Sequence, residues 1–124
     1  MFLLFCRAYL LLLRADGYLI RSKFPALREW VHNTPRRTPL PGADATEAVC
    51  HAVDLAAVWY WKQVLCLQRS AATACLLRQC GVAARLVIGA QIIPLRAHAW
   101  VEVEGRIVND KPYIAELYTV LDRC

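Results

Sequence analysis

The sequence lacks the short motifs that bind zinc, nucleotides or nucleic acid. Its six cysteines form no CxxC pair, so a structural metal site is not expected. No glycine-rich P-loop occurs, and no run of basic residues alternates with aromatic residues. We therefore expect a protein that works without a metal or a cofactor and that does not bind nucleic acid.

A secretory signal and a membrane-spanning run are missing too. The apolar residues 1–13 carry Arg7 in their middle, with no basic segment before them and no small-residue cleavage site after them. The run is also too short to cross a bilayer. We expect a cytoplasmic protein whose cysteines are reduced and mostly buried. For the apolar helix predicted over residues 1–15, burial in the fold is favoured over contact with a partner or a membrane surface.

The sequence is rich in apolar residues and in arginine. Hydrophobic residues make up 58% of the 124 residues, and the net charge of +5 comes from 12 arginines against three lysines. Arginine suits carboxylates and phosphates alike, so the charge alone does not identify a partner. The length predicts one domain, with N-terminal helices and a proline- and arginine-rich linker at 1–42 and the core at 43–124. The linker is more typical of a spacer than of an arginine arm for an acidic partner.

Hydrophobic periodicity predicts helices first and a sheet afterwards. Helices are predicted over residues 1–15, 18–32, 44–60 and 66–80, and strands over 85–90, 97–103 and 106–110. Asp44 and Glu47 form a capping box at the third helix, and Glu104-Gly105 is a hairpin turn. This order predicts an α+β fold with a small antiparallel sheet. The tail from residue 111 is ambiguous between strand and turn.

Cys66 lies where a loop turns into the helix over residues 66–80, which Gly81 ends. The positive end of the helix dipole stabilises a thiolate there, the nucleophilic form of cysteine. The three aromatic residues 59–61 before it either line a cleft or pack at a hinge. In the preceding helix, Cys50, His51 and Asp54 fall within one turn. They offer too few metal ligands, and a half-polar helix surface is the better interpretation.

Three predicted elements each carry a residue that could act in catalysis, namely Cys66, His98 and Asp110. Counted back from the hairpin turn, residue 103 faces residue 106, so Asp110 comes near His98 at the open end of the hairpin. A carboxylate there can orient the imidazole, and the helix start can bring the thiol to the other ring nitrogen. Spacing alone gives this catalytic interpretation no more weight than its alternative, in which His98 is an ordinary surface histidine and Asp110 has no shared role with it.

A family resemblance favours the catalytic interpretation. The C-x-x-R-S motif at residues 66–70, the strand at 84–89 and the A-H-A-W-V-E-V strand at 97–103 together resemble lasso-peptide leader peptidases. These are transglutaminase-like cysteine proteases, and the similarity is strongest over about residues 60–112. The resemblance implies that Cys66 is the nucleophile, His98 the general base and acid, and Asp110 the carboxylate that orients His98. The sequence departs from the family at Ala71, where a leucine commonly follows the serine.

The proposed reaction also needs donors for the oxyanion. We expect the backbone N–H of Cys66 and a second donor, for which Gln63 is the candidate and the indole N–H of Trp61 the alternative. The cleft is expected to rest on three supporting side chains, those of Arg69, Ser70 and Trp100.

The family function also implies partners. The substrate would be a leader–core precursor peptide, presented by a separate leader-recognition protein, with the lasso cyclase as a further candidate partner. The N-terminal helices and the positive charge are candidate docking surfaces. Two other functions stay open, namely acyl transfer between peptide amides by another transglutaminase-fold enzyme, and peptide binding by a module without catalysis.

Overall fold

Helices come first along the chain and an antiparallel sheet follows them. The computed structural model describes residues 2–21, 24–35, 45–91 and 95–124. Within these residues the helices are α1 (Phe2–Ile20), α2 (Phe24–Asn33), α3 (Ala45–Val58), α4 (Cys66–Gln79) and α5 (Ile114–Leu117), and the strands are β1 (Ala84–Gln91), β2 (Arg96–Val103), β3 (Arg106–Ile107) and β4 (Thr119–Arg123). The predicted α+β class is confirmed.

The sheet has the strand order β3-β2-β1-β4, and all neighbouring strands are antiparallel. The hairpin turn lies where it was predicted, with positive φ at Glu104 and Gly105, and Val103 pairs with Arg106. In the β1–β2 pair, Gly89 lies opposite His98. The ambiguous tail forms the short helix α5 and then β4, which pairs with β1 at the edge of the sheet.

The main core lies between the helices and one face of the sheet. Helix α4 contacts α1, α3, β1 and β2, and its alanines 71, 72 and 74 are fully buried, which allows these elements to approach closely. The core includes the following fully or almost fully buried side chains: Leu12, Leu27, Val31, Val53, Ala56, Leu76, Leu77, Leu86 and Val101. Burial of each leucine or valine contributes about 1.5–3 kcal/mol. A smaller cluster of Val87, Trp100 and Ile114 lies apart from this core.

Helix α1 continues beyond its predicted end at residue 15 and stops at Ile20. The carboxylate of Asp16 is buried and bound by side chains from the segment before α4, so the helix runs on through Gly17. The prediction that the second helix starts at residue 18 was wrong, because α2 begins at Phe24. The capping-box residue Asp44 and the linker residues 36–42 lie outside the described residues.

One side of α1 is buried in the core and the other is exposed. Ala8 and Leu12 are at most 1% exposed, whereas Phe2 is 76% and Leu10 is 64% exposed. The favoured burial of this helix therefore holds for one side only. In the part of the chain that the structure describes, no helix combines the length and the apolar character needed to cross a membrane.

Strand β3 has two residues, whereas residues 106–110 were predicted. A side chain ends the backbone ladder early: Oδ1 of Asn109 accepts the N–H of Val101 at 2.8 Å, in the place that a backbone carbonyl of the partner strand would take. The backbone N–H of Val108 still donates to the carbonyl of Val101 at 3.0 Å. The chain bends away after this point, which carries Asp110 out of the strand.

Candidate active site

Cys66 is the first residue of α4, and Leu65 is its N-cap. A leucine side chain cannot accept hydrogen bonds, so no N-cap side chain occupies the amides of the first turn. The side chain of Gln68 instead accepts the backbone N–H of Leu65 at 2.9 Å and fixes the start of the helix. The predicted start of this helix is confirmed, and the helix ends at Gln79, one residue before its predicted end, with Cys80 as its C-cap. Gly81 after it has a φ of 89°.

A buried carboxylate lies beneath this helix start. Asp16 is 4% exposed and accepts hydrogen bonds from the hydroxyl of Tyr60 at 3.1 Å and from the amide of Gln68. The ammonium of Lys62 lies 2.8 Å from Oδ1 of Asp16. Helix α1 is thereby joined to the segment before Cys66, through Tyr60 and Lys62, and to the first turn of α4, through Gln68.

His98 and Asp110 form a close pair at the edge of the sheet. Nε2 of His98 lies 2.6 Å from Oδ2 of Asp110, and Oδ1 of Asp110 accepts the N–H of Lys111 at 2.8 Å. The imidazole also stacks on Tyr118, with ring centroids 5.3 Å apart. This arrangement uses one ring nitrogen of His98 and leaves Nδ1 for another partner.

The surroundings of Asp110 favour its ionised form. Burial alone would raise the pKa of this carboxyl, but the hydrogen bonds from His98 and from the Lys111 backbone outweigh burial, and the positive charge of Arg69 acts in the same direction. The net result is a pKa of Asp110 below its ordinary value. A carboxylate held ionised against an imidazole can orient it and stabilise its charged form.

Hydrogen bonds through Ser70 connect the helix of Cys66 with the strand of His98. Oγ of Ser70 donates to the carbonyl of Ala99 at 3.0 Å and accepts from the amide of Asn109 at 3.0 Å. Ser70 follows Cys66 by one turn of α4, about 6 Å along the axis. Within the described residues, the connection between Cys66 and His98 runs along this route and not through a direct hydrogen bond.

A family comparison spans most of the chain. Residues 10–123 match the model of the family described as the transglutaminase-like superfamily. The chain belongs to the transglutaminase-like superfamily.

A curated relative covers part of this transglutaminase-like chain. The microcin J25-processing protein McjB of Escherichia coli is 38% identical over 56 residues, which are 45% of this chain. The matched region spans 27% of that relative, so the chain covers well under two thirds of its length. No solved structure gives a match.

The three predicted supporting side chains lie close to the His98–Asp110 pair or to the start of α4. Ser70 is fully buried between α4 and β2. Trp100 is also fully buried, its ring centroid lies 6.1 Å from that of His98, and its indole donates to Glu102 at 3.1 Å. Arg69 lies 4.0 Å from the exposed Asp54, and its Nε is buried without a hydrogen-bond partner in the described part of the chain.

The two candidates for the second oxyanion donor lie on the exposed segment before Cys66. The ring of Trp61 is 67% exposed and carries the ammonium of Lys62 at 5.0 Å from its centroid. Gln63 is exposed and lines a small hollow of about 270 Å³ beside Lys62 and Leu65. Of the aromatic residues 59–61, Tyr60 packs into the core while Trp59 and Trp61 are exposed, so hinge packing describes Tyr60 alone.

Cys50, His51 and Asp54 lie on one side of a cleft between α3 and the β2–β3 hairpin, with a volume of about 940 Å³. No cluster of three or more His, Cys, Asp or Glu side chains that could hold a metal occurs among the described residues. The thiol of Cys50 donates to the carbonyl of Val108 at 3.5 Å. Burial, together with the nearby carboxylates of Asp54 and Glu47, raises the pKa of Cys50 to about 11.

Three residues of this region, Asp16, Gln68 and Asn109, were not among the predicted site residues. The available signal for Asp16 was a lone carboxylate close to an apolar helical run, which needs buried partners if the helix is buried. Gln68 occupies a variable position of the C-x-x-R-S motif, so the motif carries no prediction for it. The contacts of the Asn109 side chain depend on tertiary structure, and no local pattern in the sequence predicts them.

Proposed function

We propose that the chain is a cysteine peptidase that removes the leader from a lasso-peptide precursor, with Cys66, His98 and Asp110 as its catalytic triad. The observation that carries the proposal is the 2.6 Å pair of His98 and Asp110 beside the strand to which the helix of Cys66 is bound. In this proposal Cys66 is the nucleophile, His98 the base and Asp110 the carboxylate that orients the base.

The comparisons support the same reaction class and substrate. The transglutaminase-like superfamily supplies the fold, and the partial match to a protein that processes microcin J25 indicates peptide maturation. The C-x-x-R-S motif and the strand that contains His98 agree with the lasso-peptide leader peptidases on the sequence side.

In the proposed mechanism, Nδ1 of His98 takes the proton of the Cys66 thiol while Nε2 donates to Asp110. The thiolate attacks the carbonyl between leader and core, and His98 then gives its proton to the departing amine of the core. The leader remains bound to Cys66 as a thioester. Water, deprotonated by His98, adds to this thioester, releases the leader with a free carboxylate and restores the thiol.

The oxyanion formed in both halves of the reaction needs two donors. The backbone N–H of Cys66 is one candidate, because the N-cap Leu65 offers no side-chain acceptor to the first-turn amides of α4. The side chain of Gln63 or the indole of Trp61 supplies the second in our proposal. Both are exposed on the segment directly before Cys66, where a substrate can reach them.

The proposed partner is a separate leader-recognition protein, and the lasso cyclase is a further candidate that would receive the released core. The exposed apolar side chains of α1, which include Phe2, Leu3 and Leu10, are the proposed docking surface. The reaction is placed in the cytoplasm, where free thiols persist.

The test incubates a leader–core precursor and its recognition protein with this chain in water enriched in ¹⁸O. Mass spectrometry should find free core and a free leader whose new carboxylate carries one ¹⁸O atom. A leader joined to an added amine, without ¹⁸O, would assign acyl transfer instead. A precursor that stays intact in the presence of the recognition protein, although it binds this chain, would favour the non-catalytic module.

A further inference from the structure

The amide of Asn109 connects the three segments that carry the proposed triad. Its Oδ1 accepts the N–H of Val101 at 2.8 Å, and its Nδ2 donates to Oγ of Ser70 at 3.0 Å. Ser70 in turn donates to the carbonyl of Ala99 at 3.0 Å. One side chain therefore reaches β2 directly and α4 through a single hydroxyl.

Each contact lies next to a proposed catalytic residue. Asn109 directly precedes Asp110, Ala99 directly follows His98, and Ser70 follows Cys66 by one turn of α4. A shift in any of these hydrogen bonds would move one member of the triad relative to the other two.

The hydrogen-bond chemistry leaves one orientation for each group. A backbone N–H can only donate, so the amide oxygen of Asn109 must face Val101 and its NH₂ group must face Ser70. The hydroxyl of Ser70 has one proton, which it donates to the carbonyl of Ala99. Its oxygen therefore accepts the hydrogen bond that the NH₂ group of Asn109 donates. Ser70 is fully buried, and water cannot replace a lost partner there without entering the core.

We propose that Asn109, acting through Ser70, is a positioning residue that sets the start of α4 against the His98–Asp110 pair. This proposal rests on the proposed function and adds to it a residue that touches neither substrate nor the reacting atoms. Its role is geometric, since a displacement of about 1 Å at a catalytic group can lower a rate by about 100-fold.

The test compares Asn109→Ala, Asn109→Asp and Ser70→Ala with the matched control Thr73→Val. Asn109→Asp keeps the acceptor for Val101 and loses the donor to Ser70. Thr73 is buried in the same helix, but its hydroxyl donates to the carbonyl of Arg69 inside α4 and does not cross to the sheet. The Asn109 and Ser70 variants should lower kcat of precursor cleavage about 10- to 100-fold with KM within about twofold, and Thr73→Val should change neither.

A double variant separates positioning from general weakening of the fold. Because Asn109→Ala and Ser70→Ala break the same connection, the double variant should lose about as much kcat as either single variant. Full multiplication of the two losses, or a kcat within about twofold of wild type in a folded Asn109 or Ser70 variant, would overturn the proposal. If Asn109→Ala does not fold, Asn109→Asp and Ser70→Ala decide the result.

A second readout needs no substrate and decides the proposal if wild type does not cleave the precursor. The carboxyl carbon of Asp110, followed by NMR as a function of pH, should titrate below the ordinary range in wild type and in Thr73→Val. In Ser70→Ala the pKa of Asp110 should move up towards its ordinary value as the pair with His98 loosens. An unchanged titration in that variant would overturn the positioning role, whereas an inactive wild type would count against the proposed function alone.

Discussion

Oδ2 of Asp110 lies 2.6 Å from Nε2 of His98, while Oδ1 of the same carboxylate accepts the backbone N–H of Lys111. Both oxygens of Asp110 are thus occupied by donors that favour its ionised form. The pair comes from two segments that a hairpin of known register brings together, and it contributes to the stability of the fold as well as to the proposed chemistry.

The first prediction concerns the pH dependence of stability through Asp110. Its pKa in the folded chain lies below the ordinary value of 3.8, so the ionised carboxyl stabilises the folded state at any pH above that value. This contribution is lost as the pH falls through the lower, folded pKa. In urea titrations, the free energy of unfolding of wild type should exceed that of Asp110→Asn at about pH 5, where the carboxyl is ionised in both the folded and the unfolded chain. The excess should shrink below about pH 4, and an excess that persists undiminished to about pH 2 would contradict the assignment.

The second prediction concerns the buried carboxylate of Asp16. Asp16→Ala leaves the hydroxyl of Tyr60 and the buried amide of Gln68 without their acceptor, which should cost about 1–3 kcal/mol for each group, while the partly exposed ammonium of Lys62 can turn to solvent. The matched control is Asp54→Ala, which removes an exposed carboxylate 4.0 Å from Arg69 and should cost at most about 1 kcal/mol. Chemical denaturation measures both. Equal losses for the two variants would show that the Asp16 cluster contributes no more than a surface pair.

The third prediction concerns Gly89, which pairs with His98 across the sheet. A Cβ at this position would lie 2.7 Å from the ring of the fully buried Trp100 and 2.9 Å from Cβ of Tyr118. Gly89→Ala should therefore destabilise the fold by about 1–3 kcal/mol through overpacking. Gly17→Ala is the matched control, because nothing lies within 4 Å of its Cβ, and alanine in a helix should stabilise by about 0.5–1 kcal/mol. If both variants changed the free energy of unfolding in the same direction, the result would contradict the close packing of Gly89 against Trp100 and Tyr118.

The fourth prediction concerns the selectivity of thiol alkylation. Burial raises the pKa of both Cys50 and Cys75 to about 11, so only about one such thiol in 3,000 is ionised at about pH 7.5. Iodoacetamide at that pH should modify Cys66 and leave Cys50 and Cys75 unmodified. Trypsin separates Cys66, in residues 63–69, from Cys75, in residues 70–78, so mass spectrometry can assign each adduct.

The control for this experiment is His98→Ala, which removes the proposed base and should slow alkylation of Cys66 without exposing Cys50 or Cys75. Labelling of Cys66 at an equal rate in wild type and in His98→Ala would show that His98 does not activate the thiol of Cys66. Faster labelling of Cys50 than of Cys66 would contradict the burial described for α3.

Local signals in the sequence were sufficient for the start of α4 and for the hairpin turn after β2. The bounds of α4 follow to within one residue from its apolar pattern and from Gly81, which takes the positive φ that ends the helix. The turn at Glu104-Gly105 fixes the pairing of β2 with β3, and the bend at residues 108–110 that follows β3 places Asp110 beside His98. Both inferences depend on residues close together in the chain.

The errors arise where distant residues decide the local structure. Helix α1 passes its predicted end because partners more than 40 residues away bind Asp16. Strand β3 ends early because the side chain of Asn109 takes a position in the ladder that a backbone group was expected to fill. The tail was ambiguous because β4 is an edge strand whose pairing with β1 cannot be inferred from its own pattern. The catalytic roles of Cys66, His98 and Asp110 stay predictions.

The most direct test of the proposed peptidase compares precursor cleavage by wild type, Cys66→Ala and Cys80→Ala in the presence of the recognition protein. Cys80 is the C-cap of the same helix, so its variant controls for the loss of a thiol from α4 without touching the helix start. Quantitative mass spectrometry should find free leader at wild-type rates with Cys80→Ala and none above background with Cys66→Ala. Release of the leader by a folded Cys66→Ala variant at a rate near that of wild type would contradict the account.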